Sequence, residues 1–426
     1  MIQQTEAIAP TLEPIIGNSG ISEPDTNWRS AVTPGTQIDC IASPNAQEEL
    51  AEVIACAYRN RWQILPTGNG SKLGWGGVAK NIDLVVSTSR LNRLVEHAVG
   101  DLTVTAEAGM KFCDLQAILA KEGQFIALDP AYPQDATLGG IVATADAGSL
   151  RQRYGGVRDM LLGLSFVRFD GQIAKAGGRV VKNVAGYDLM KLFTGSYGTL
   201  GIISQVTFRV YPIPDASQTV VLTGTADNIA QAAKTLLGSA LTPTAIDLLS
   251  SGFGIGEGMA LVTRFQSVEA SVKEQSARLL EVGQHLGLKG SSYGGNDESN
   301  LWQKLGEQMQ GDATKGGISC KIGVLPTAAI ATLSLVDNMN AIALIHAGSG
   351  LGVLRLDSID KEAVGRVREH CQSHGGFLTV LEAPVAFKQQ FDVWGYSGNA
   401  LDLMRKIKQQ FDPVNMFSPC RFVGEI

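Results

Sequence analysis

LPTGNGSKLGWGG, residues 65–77, holds five glycines in thirteen positions, and the apolar run WQIL (residues 62–65) leads into it with the character of a strand. Glycine is tolerated chiefly where the backbone bends sharply or approaches another group closely. A glycine-rich loop after a strand can point its backbone N–H groups at an anion. The stretch therefore predicts a phosphate-binding loop within a small α/β unit.

Two familiar phosphate-binding patterns fit this loop poorly. A Walker A loop requires GxxxxGK[ST], and Gly70-Ser71-Lys72 has serine where the glycine before the lysine belongs. A Rossmann turn is closer, because residues 68–74 form a loose GxGxxxG, but that turn should open a helix and Trp75-Gly76-Gly77 is a poor helix start. A flexible surface loop remains open as an alternative at this point.

Composition narrows the class of protein. The chain has 426 residues, 44% of them hydrophobic, which is enough for two or more buried domains, and a net charge of −6, which disfavours a nucleic-acid partner. Its six cysteines form no CxxC or CxxH pair, so no zinc or iron–sulfur site is expected within the chain. We find no secretory signal and no membrane span, and we expect a cytoplasmic protein, with attachment to a membrane through a partner left open.

The organisation along the chain changes twice. Residues 1–33, with three prolines, predict a loose N-terminal arm, and the end of the glycine-dense region at YPIP (211–214) places a domain boundary near residue 215. The tail from 401 predicts a short helix and a proline-containing end. Periodicity predicts helices at 45–58, 110–122, 228–238, 267–286 and 360–374, and strands at 62–65, 82–87, 102–108, 162–167, 172–175, 219–222, 259–264, 352–357 and 377–381.

Three glycine motifs follow one another in a set order. They are PTGNGS (66–71), ATLGG (136–140) and GSYGTLGI (195–202). This ordered set resembles the FAD-binding domain of the vanillyl-alcohol oxidase (VAO) superfamily, also described as PCMH-type, over residues 34–214. A finer resemblance is to the E-subunit family of bacterial glycolate oxidase (glycolate dehydrogenase), carried by the runs at 182–201, 344–356 and 411–422.

The resemblance implies an α+β fold. It consists of a two-part PCMH/VAO-type FAD-binding domain at 34–214, a smaller α+β cap domain at 215–395, and a C-terminal segment at 396–426 that returns to the FAD-binding domain. Non-covalent FAD is the implied cofactor, and the loop N–H groups are expected to hold its diphosphate without a bulky cation. The implied cofactor-binding residues are Pro66, Thr67, Gly68, Asn69, Gly70, Ser71, Thr137, Leu138, Gly139, Gly140, Thr144, Gly148, Tyr154, Gly155, Ser196, Gly198, Gly201 and Ile202.

The candidate catalytic residues are His346, Arg264 and Arg355, the two arginines as anchors for a substrate carboxylate. Lys182 and Asn183 are weaker candidates beside the flavin. In catalytic relatives, a run His-x-Gly-Asp-Gly-Asn-x-His supplies a histidine pair. Here Val353 stands in the place of the second histidine and Ser349 in that of the acid, and no local acid replaces it. No metal site is therefore expected, and the isolated chain is predicted to oxidise glycolate poorly.

The function implied is a flavin subunit of a glycolate or other small 2-hydroxy-acid dehydrogenase. Its partners would be a paralogous flavin subunit and an iron–sulfur subunit that receives the electrons. Three alternatives remain at this stage: a flavin-binding assembly or electron-transfer subunit without turnover of its own, a stand-alone FAD-dependent 2-hydroxy-acid dehydrogenase, and a nicotinamide-dependent Rossmann enzyme.

Overall fold

A computed structural model describes residues 7–178, 186–310 and 317–426. The chain divides into two compact units. Unit 1 contains the described residues up to Ala147, together with Gly156–Pro212 and Tyr396–Ile426. Unit 2 contains Gly148–Gly155 and Ile213–Gly395. The domain boundaries predicted from the sequence stay predictions, and the units differ from them in grouping residues 148–155 with the second half of the chain.

Helices and strands occur in both units, and the α+β fold class is confirmed. The helices are α1 (Ile8–Ile16), α2 (Gln47–Asn60), α3 (Phe112–Ala120), α4 (Leu138–Thr144), α5 (Arg151–Tyr154), α6 (Val157–Met160), α7 (Leu189–Phe193), α8 (Ala226–Leu237), α9 (Glu269–His285), α10 (Gly295–Met309), α11 (Ala329–Asp337), α12 (Lys361–Ser373), α13 (Val385–Gln390) and α14 (Leu401–Phe411). Within the described part of the chain, no helix is both long and apolar enough to cross a membrane.

The strands are β1 (Ile21–Ser22), β2 (Cys40–Ala42), β3 (Ile64–Thr67), β4 (Leu84–Ser87), β5 (Leu94–Ala98), β6 (Thr103–Glu107), β7 (Gln124–Phe125), β8 (Leu161–Val167), β9 (Ile173–Gly177), β10 (Ile202–Arg209), β11 (Tyr211–Pro212), β12 (Ala216–Gly224), β13 (Ala245–Leu249), β14 (Met259–Ser267), β15 (Lys289–Gly294), β16 (Ile318–Gly323), β17 (Ala341–His346), β18 (Leu351–Leu356) and β19 (Phe377–Glu382).

Unit 1 is built on two larger sheets. The first has the order β1-β2-β4-β3, with β4 parallel to both of its neighbours, and the second is the antiparallel sheet β5-β6-β10-β8-β9. Helix α2 packs into the core of the first sheet through Leu50, Val53, Ile54 and Ala57, the residues whose helical spacing the sequence displays. The helix ends at Arg61, which has a left-handed backbone. The chain then continues into strand β3, which leads directly into the glycine loop.

Unit 2 is an antiparallel sheet of eight strands covered on both faces. Its order is β15-β12-β14-β13-β17-β18-β16-β19. Leu222 and Leu248 point into the core that includes α8, α9, α11 and α12, whereas their neighbours Val221 and Leu249 point into the core that includes α10. Since successive strand side chains alternate between faces, both faces of the central strands must be apolar.

The prediction of a loose N-terminal arm is wrong for the start of the described chain. Residues 8–16 form α1, and Ile8, Leu12 and Ile16 are buried in one core with α2. These residues are spaced four apart and share one helix face. Pro10 lies in the first helical turn, where its missing N–H costs no intrahelical bond. The amphipathic spacing therefore outweighs the prolines.

Candidate functional site

The glycine loop carries a row of unused backbone donors. Strand β3 ends at Thr67, and the backbone N–H groups of Gly68, Asn69, Gly70 and Ser71 donate no hydrogen bond to any described residue. The loop turns back through a bond from Leu73 N to Gly70 O of 3.1 Å, and Gly70 has φ +82°. Consecutive free N–H groups in a tight turn form a concave site for an anion.

The second glycine motif packs directly onto this loop. Thr137 caps α4, its Oγ1 accepting from Gly140 N at 3.3 Å. A Cβ on Gly68 would overlap Thr137 Oγ1, so a side chain cannot be placed there without moving the cap. The glycine at 68 is therefore required by a close approach between the two motifs, which the sequence could show only as two separate glycine clusters.

The third motif closes the site from another side. Gly195 N donates to Val142 O at 2.9 Å and Tyr197 N to Ala143 O at 2.8 Å, which ties the segment before β10 to α4. Ser196 is 5% exposed, and its buried Oγ has no hydrogen-bond partner among the described residues. A buried hydroxyl without a partner is costly unless a ligand satisfies it.

Two cations also line the cavity, beside the backbone donors that were expected to hold the diphosphate without a bulky cation. Lys72 is 7% exposed and pairs with Asp146 at 2.5 Å. Arg421, 4% exposed, donates from Nη2 to the carbonyls of Leu73 (2.8 Å) and Trp75 (3.3 Å). Burial lowers the pKa of Arg421 to about 10. An anion in the cavity would compensate that desolvated positive charge.

Arg421 reaches the loop because the C-terminal segment runs beside β3. Ile64 N donates to Met416 O at 2.7 Å, and Ser418 N donates to Ile64 O at 2.8 Å. The sequence signal was available, since Arg421 lies in the 411–422 run that carries the glycolate oxidase resemblance. Arg421 was nevertheless absent from the predicted site, because its position depends on strand-like pairing with β3 over a separation of more than 350 residues.

Together these elements enclose a cavity in unit 1 with about 740 Å³ of empty space, part of it open to solvent. Most of the predicted cofactor residues line it: Pro66, Thr67, Gly68, Asn69, Gly70, Ser71, Thr137, Gly139, Gly140, Thr144, Ser196, Gly198, Gly201 and Ile202. The lining also includes seven residues outside that predicted set: Lys72, Leu73, Thr88, Ala143, Tyr197, Ile203 and Arg421.

Four predicted cofactor residues do not line the cavity. Leu138 is 1% exposed and faces the core on α4. Gly148, Tyr154 and Gly155 belong to unit 2, and a contact between them and the cofactor stays a prediction. The residues that do line the cavity suit an anionic, hydrogen-bonding ligand, because they combine free N–H groups, an unsatisfied hydroxyl and two cations. This donor set fits the diphosphate of FAD.

The predicted catalytic histidine has an acidic partner, contrary to the sequence expectation. His346 Nδ1 lies 2.7 Å from Asp247 Oδ1, and Asp247 is fully buried. The acid comes from β13, 99 residues away, so the local search of the 344–356 run could not find it. One of the two grounds for expecting poor turnover, the lack of an acid to partner His346, therefore does not hold. The other ground, Val353 in the place of the second histidine, is unaffected, and poor turnover by the isolated chain stays a prediction.

The two predicted carboxylate anchors are engaged with protein groups. Arg264 Nε lies 3.1 Å from the buried carboxylate of Glu298 and 3.1 Å from Ser217 Oγ. Arg355 donates to Gln308 O at 2.8 Å and pairs with Asp357 at 3.0 Å. Their roles as substrate anchors stay predictions without added support. Lys182 and Asn183 lie outside the described residues.

Several known proteins are similar to this chain in sequence. Residues 38–177 match the family described as "FAD binding domain". The chain is 28% identical to the glycolate oxidase subunit GlcE of Escherichia coli, over 89% of this chain and 98% of that protein. It is 30% identical to the glycolate oxidase subunit GlcD of Bacillus subtilis, over 50% of this chain and 45% of that protein. The match thus spans less than half of GlcD but nearly all of GlcE.

The fold is also known from solved structures. The structure of p-cresol methylhydroxylase with bound substrate aligns with a TM-score of 0.77 at 14% identity, over 99% of this chain and 97% of that chain. These findings confirm the predicted FAD-binding domain of PCMH type, the FAD cofactor, and homology to both kinds of glycolate oxidase subunit. The chain is therefore a homologue of FAD-dependent hydroxy-acid oxidoreductases, and the nicotinamide alternative falls away.

Proposed function

Because this chain is an FAD-binding oxidoreductase homologous to glycolate oxidase subunits, we propose that it is the E-type flavin subunit of a complex that oxidises glycolate or another small 2-hydroxy acid. The observation that carries the proposal is the match over nearly the whole of GlcE, combined with the cavity that the glycine motifs build. A paralogous flavin subunit, an iron–sulfur subunit that receives the electrons and the predicted cytoplasmic location are parts of the same proposal.

Different residues of unit 1 would contact different parts of the cofactor. The N–H groups of residues 68–71 and the charges of Lys72 and Arg421 would hold the diphosphate, and Ser196 Oγ would donate or accept a further bond. Ile202 and Ile203 supply apolar wall. FAD, when bound, supplies the acceptor for the hydride that leaves the hydroxyl-bearing carbon. The chain's own residues would orient it in the cavity.

A second candidate is a flavin-binding assembly or electron-transfer subunit that does not turn over substrate. Val353 and Ser349 favour it, because they replace the second histidine and the acid of the catalytic relatives. The pairing of His346 with Asp247 favours turnover by this chain, as a stand-alone dehydrogenase or within the complex. Val353 and Ser349 thus favour the assembly subunit, and the His346–Asp247 pair favours turnover by this chain. Flavin reduction by a hydroxy acid distinguishes the two candidates.

The test is anaerobic mixing of the purified yellow protein with glycolate and with D-lactate, alone and with the candidate partner subunits, while flavin absorbance is followed. Bleaching by a hydroxy acid that the partners accelerate supports the proposed subunit. Bleaching of the isolated chain at full rate supports the stand-alone enzyme. A flavin that no hydroxy acid reduces under either condition contradicts the proposal and leaves the assembly subunit.

A further inference from the structure

The C-terminal part of unit 1 is bonded to the glycine loop on both sides of its free N–H groups. We call residues 412–421, which directly follow helix α14, the C-terminal strap. Four backbone hydrogen bonds connect the strap to the chain before and after that donor row: Ile64 N to Met416 O (2.7 Å), Ser418 N to Ile64 O (2.8 Å), Gly77 N to Arg421 O (3.1 Å) and Lys80 N to Pro419 O (3.0 Å). One stretch of backbone therefore holds both ends of the predicted phosphate-binding loop.

The strap also reaches the third glycine motif. Lys408, near the end of α14, donates from Nζ to Thr199 O and to Phe417 O, both at 2.9 Å, and so joins that motif to the strap. A Cβ on Gly198 would lie 3.7 Å from Ser418 Oγ, which places this hydroxyl beside a residue of the cavity lining. The strap thus contacts the first and the third motif, on two sides of the cavity.

The conformation of the docked strap is unfavourable in itself. Ser418 and Cys420 have left-handed backbones, with φ +47° and +66°, which residues other than glycine adopt at a cost in free energy. Ser418 is also fully buried, and its Oγ has no hydrogen-bond partner among the described residues. A buried hydroxyl without a partner destabilises the segment further. Docking of the strap therefore depends on compensation from what it contacts.

The strap ends in a buried positive charge at the cavity. Arg421 lines the cavity and donates to the carbonyls of Leu73 and Trp75, which are polar but uncharged. Taking a guanidinium out of water is costly unless a negative charge lies close to it. The diphosphate of FAD would bring negative charge to the donors of residues 68–71 in the same cavity. Bound FAD would therefore stabilise Arg421, and the strap with it, in the docked position.

We propose that FAD and the C-terminal strap bind the glycine loop cooperatively, so that an occupied cavity stabilises the docked strap and an undocked strap weakens the binding of FAD. Such coupling is reciprocal, because each binding event must change the affinity of the other by the same factor. Chains with and without FAD then differ in how far the strap is exposed. The inference depends on the cofactor and not on the substrate, and so goes beyond the proposed function.

Hydrogen exchange followed by mass spectrometry tests the effect of FAD on the strap, in the whole chain stripped of FAD and then reloaded. The reporters are the amides of Met416, Phe417 and Ser418, because these residues do not line the cavity and slower exchange there reports docking rather than direct contact. FAD should slow their exchange by about 5- to 150-fold, the usual range of coupling between two sites. Amides of α2, in the same unit, should slow much less. Equal slowing in both places, or none in the strap, overturns the inference.

The effect of the strap on FAD is tested by displacing the strap without altering the cavity lining. Gly77 lies outside that lining and outside the left-handed region, and a Cβ there would lie 2.5 Å from Arg421 O. Gly77→Ala should therefore push the strap off the loop, speed exchange of the reporter amides in the FAD-free protein, and weaken FAD binding by about 5- to 150-fold. The matched control is Gly100→Ala in the same unit, where a Cβ meets nothing within 4 Å.

A second variant loosens the strap from its other end. Asp412 accepts hydrogen bonds from the N–H groups of Met416 (3.0 Å) and Phe417 (2.8 Å) and does not touch the loop or the cavity lining. Asp412→Asn should speed exchange in the strap and weaken FAD binding, with the exposed Asp402→Asn on α14 as its control. If Asp412→Asn does not fold, Gly77→Ala decides alone.

Titration of the stripped variants with FAD, read beside their exchange rates, separates the outcomes. Faster strap exchange together with weaker FAD binding supports the coupling. Faster strap exchange with FAD affinity equal to that of the controls overturns it. Weaker FAD binding by Gly77→Ala with unchanged strap exchange also overturns it, because the loop alone would then be affected. These measurements need no turnover, so they stand whether or not a hydroxy acid reduces the flavin.

Discussion

At the scale of single residues, the cofactor cavity depends on conformations that only glycine adopts easily. Gly70 has φ +82° and lies in the row of free N–H groups, and a Cβ there would meet nothing closer than Leu73 Cδ1 at 3.5 Å. Space is therefore available at this position, and backbone conformation is the constraint. The left-handed region costs an L-residue roughly 1–2 kcal/mol, and more for a β-branched one.

Gly70→Val should give a folded protein that loses FAD. The strain is relieved by rotating the backbone, which turns the loop N–H groups away from the diphosphate. The measurement is flavin content per chain and FAD affinity of the stripped protein. Gly35→Val is the matched control, because Gly35 has φ +86° with open space around it and lies outside the cavity. Full FAD retention by Gly70→Val would remove the loop from the site.

Arg421 provides a second residue-scale prediction. Its burial lowers its pKa to about 10, and its guanidinium holds the carbonyls of Leu73 and Trp75 beside the cavity. Arg421→Met should weaken FAD binding by about 1.5–3 kcal/mol, the usual worth of a hydrogen bond to a charged group. Titration of the stripped protein with FAD measures this. Arg209→Met, an exposed arginine over Tyr211, is the control, and equal losses in both variants would contradict the role of Arg421.

The sequence shows some residues of the cavity in unit 1, and of the buried Asp247–His346 pair in unit 2, and not others. Glycines and the Thr137 cap are recognisable because their backbone demands are local. Asp247 and Arg421 are not, because their roles come from pairing between strands distant in sequence. Asp247 is a single charged residue in an otherwise apolar run, and the sequence alone does not show which residues it contacts.

At the scale of elements, helices with one polar face are predicted within a few residues of their bounds, whereas strands β13 and β15 are not predicted. Helices α2, α9 and α12 are found within a few residues of their predicted bounds. Strand β13 is buried at every position and shows no alternation, and β15 is exposed at nearly every position. Both are strands because their neighbours pair with them, which a single sequence does not display.

Helix α14 supplies an element-scale prediction through its buried ion pair. Lys408 Nζ lies 2.6 Å from Asp412 Oδ2 and donates to the carbonyls of Thr199 and Phe417, both at 2.9 Å. Asp412 also accepts from the N–H groups of Met416 and Phe417. Every partner of this carboxylate is thus a donor. The pair joins the third glycine motif to the C-terminal segment.

Asp412→Asn should lower the free energy of unfolding by about 3–5 kcal/mol, the usual cost of removing one member of a buried pair. The amide NH₂ must face one of the existing donors, and Lys408 is left as an uncompensated buried charge. Urea unfolding measures the change. Asp402→Asn on the same helix, whose partner Arg405 is 3.4 Å away at the surface, should leave stability unchanged. Equal stability of the two variants would show that the pair is dispensable.

At the scale of the whole molecule, three separated motifs and the C-terminal segment form one cavity within unit 1. Its lining comes from residues 66–73, Thr88, and residues within 137–144 and 196–203, together with Arg421. Their order along the chain allowed the FAD-binding domain to be predicted from the sequence. The grouping of residues 148–155 with unit 2 could not be predicted, since it depends on contacts such as that between Ser149 and Asp247.

The mode of cofactor attachment can be argued at the same scale. A covalent flavin requires a nucleophilic side chain against the ring, such as histidine or cysteine. The described lining of the cavity includes neither, and the sequence has no histidine from 98 to 284. Tyr197 also lines the cavity, and burial raises its pKa, which keeps the phenol protonated at neutral pH.

We therefore expect FAD to be released intact when the protein is denatured. Precipitation with acid should leave all the yellow colour in the supernatant, because nothing but hydrogen bonds, charge and packing holds the cofactor once the fold is lost. Absorbance of the supernatant and of the washed, redissolved pellet gives the two fractions. Colour that stays with the pellet would mean a covalent bond, and mapping the flavin-bearing peptide would then identify the attached residue.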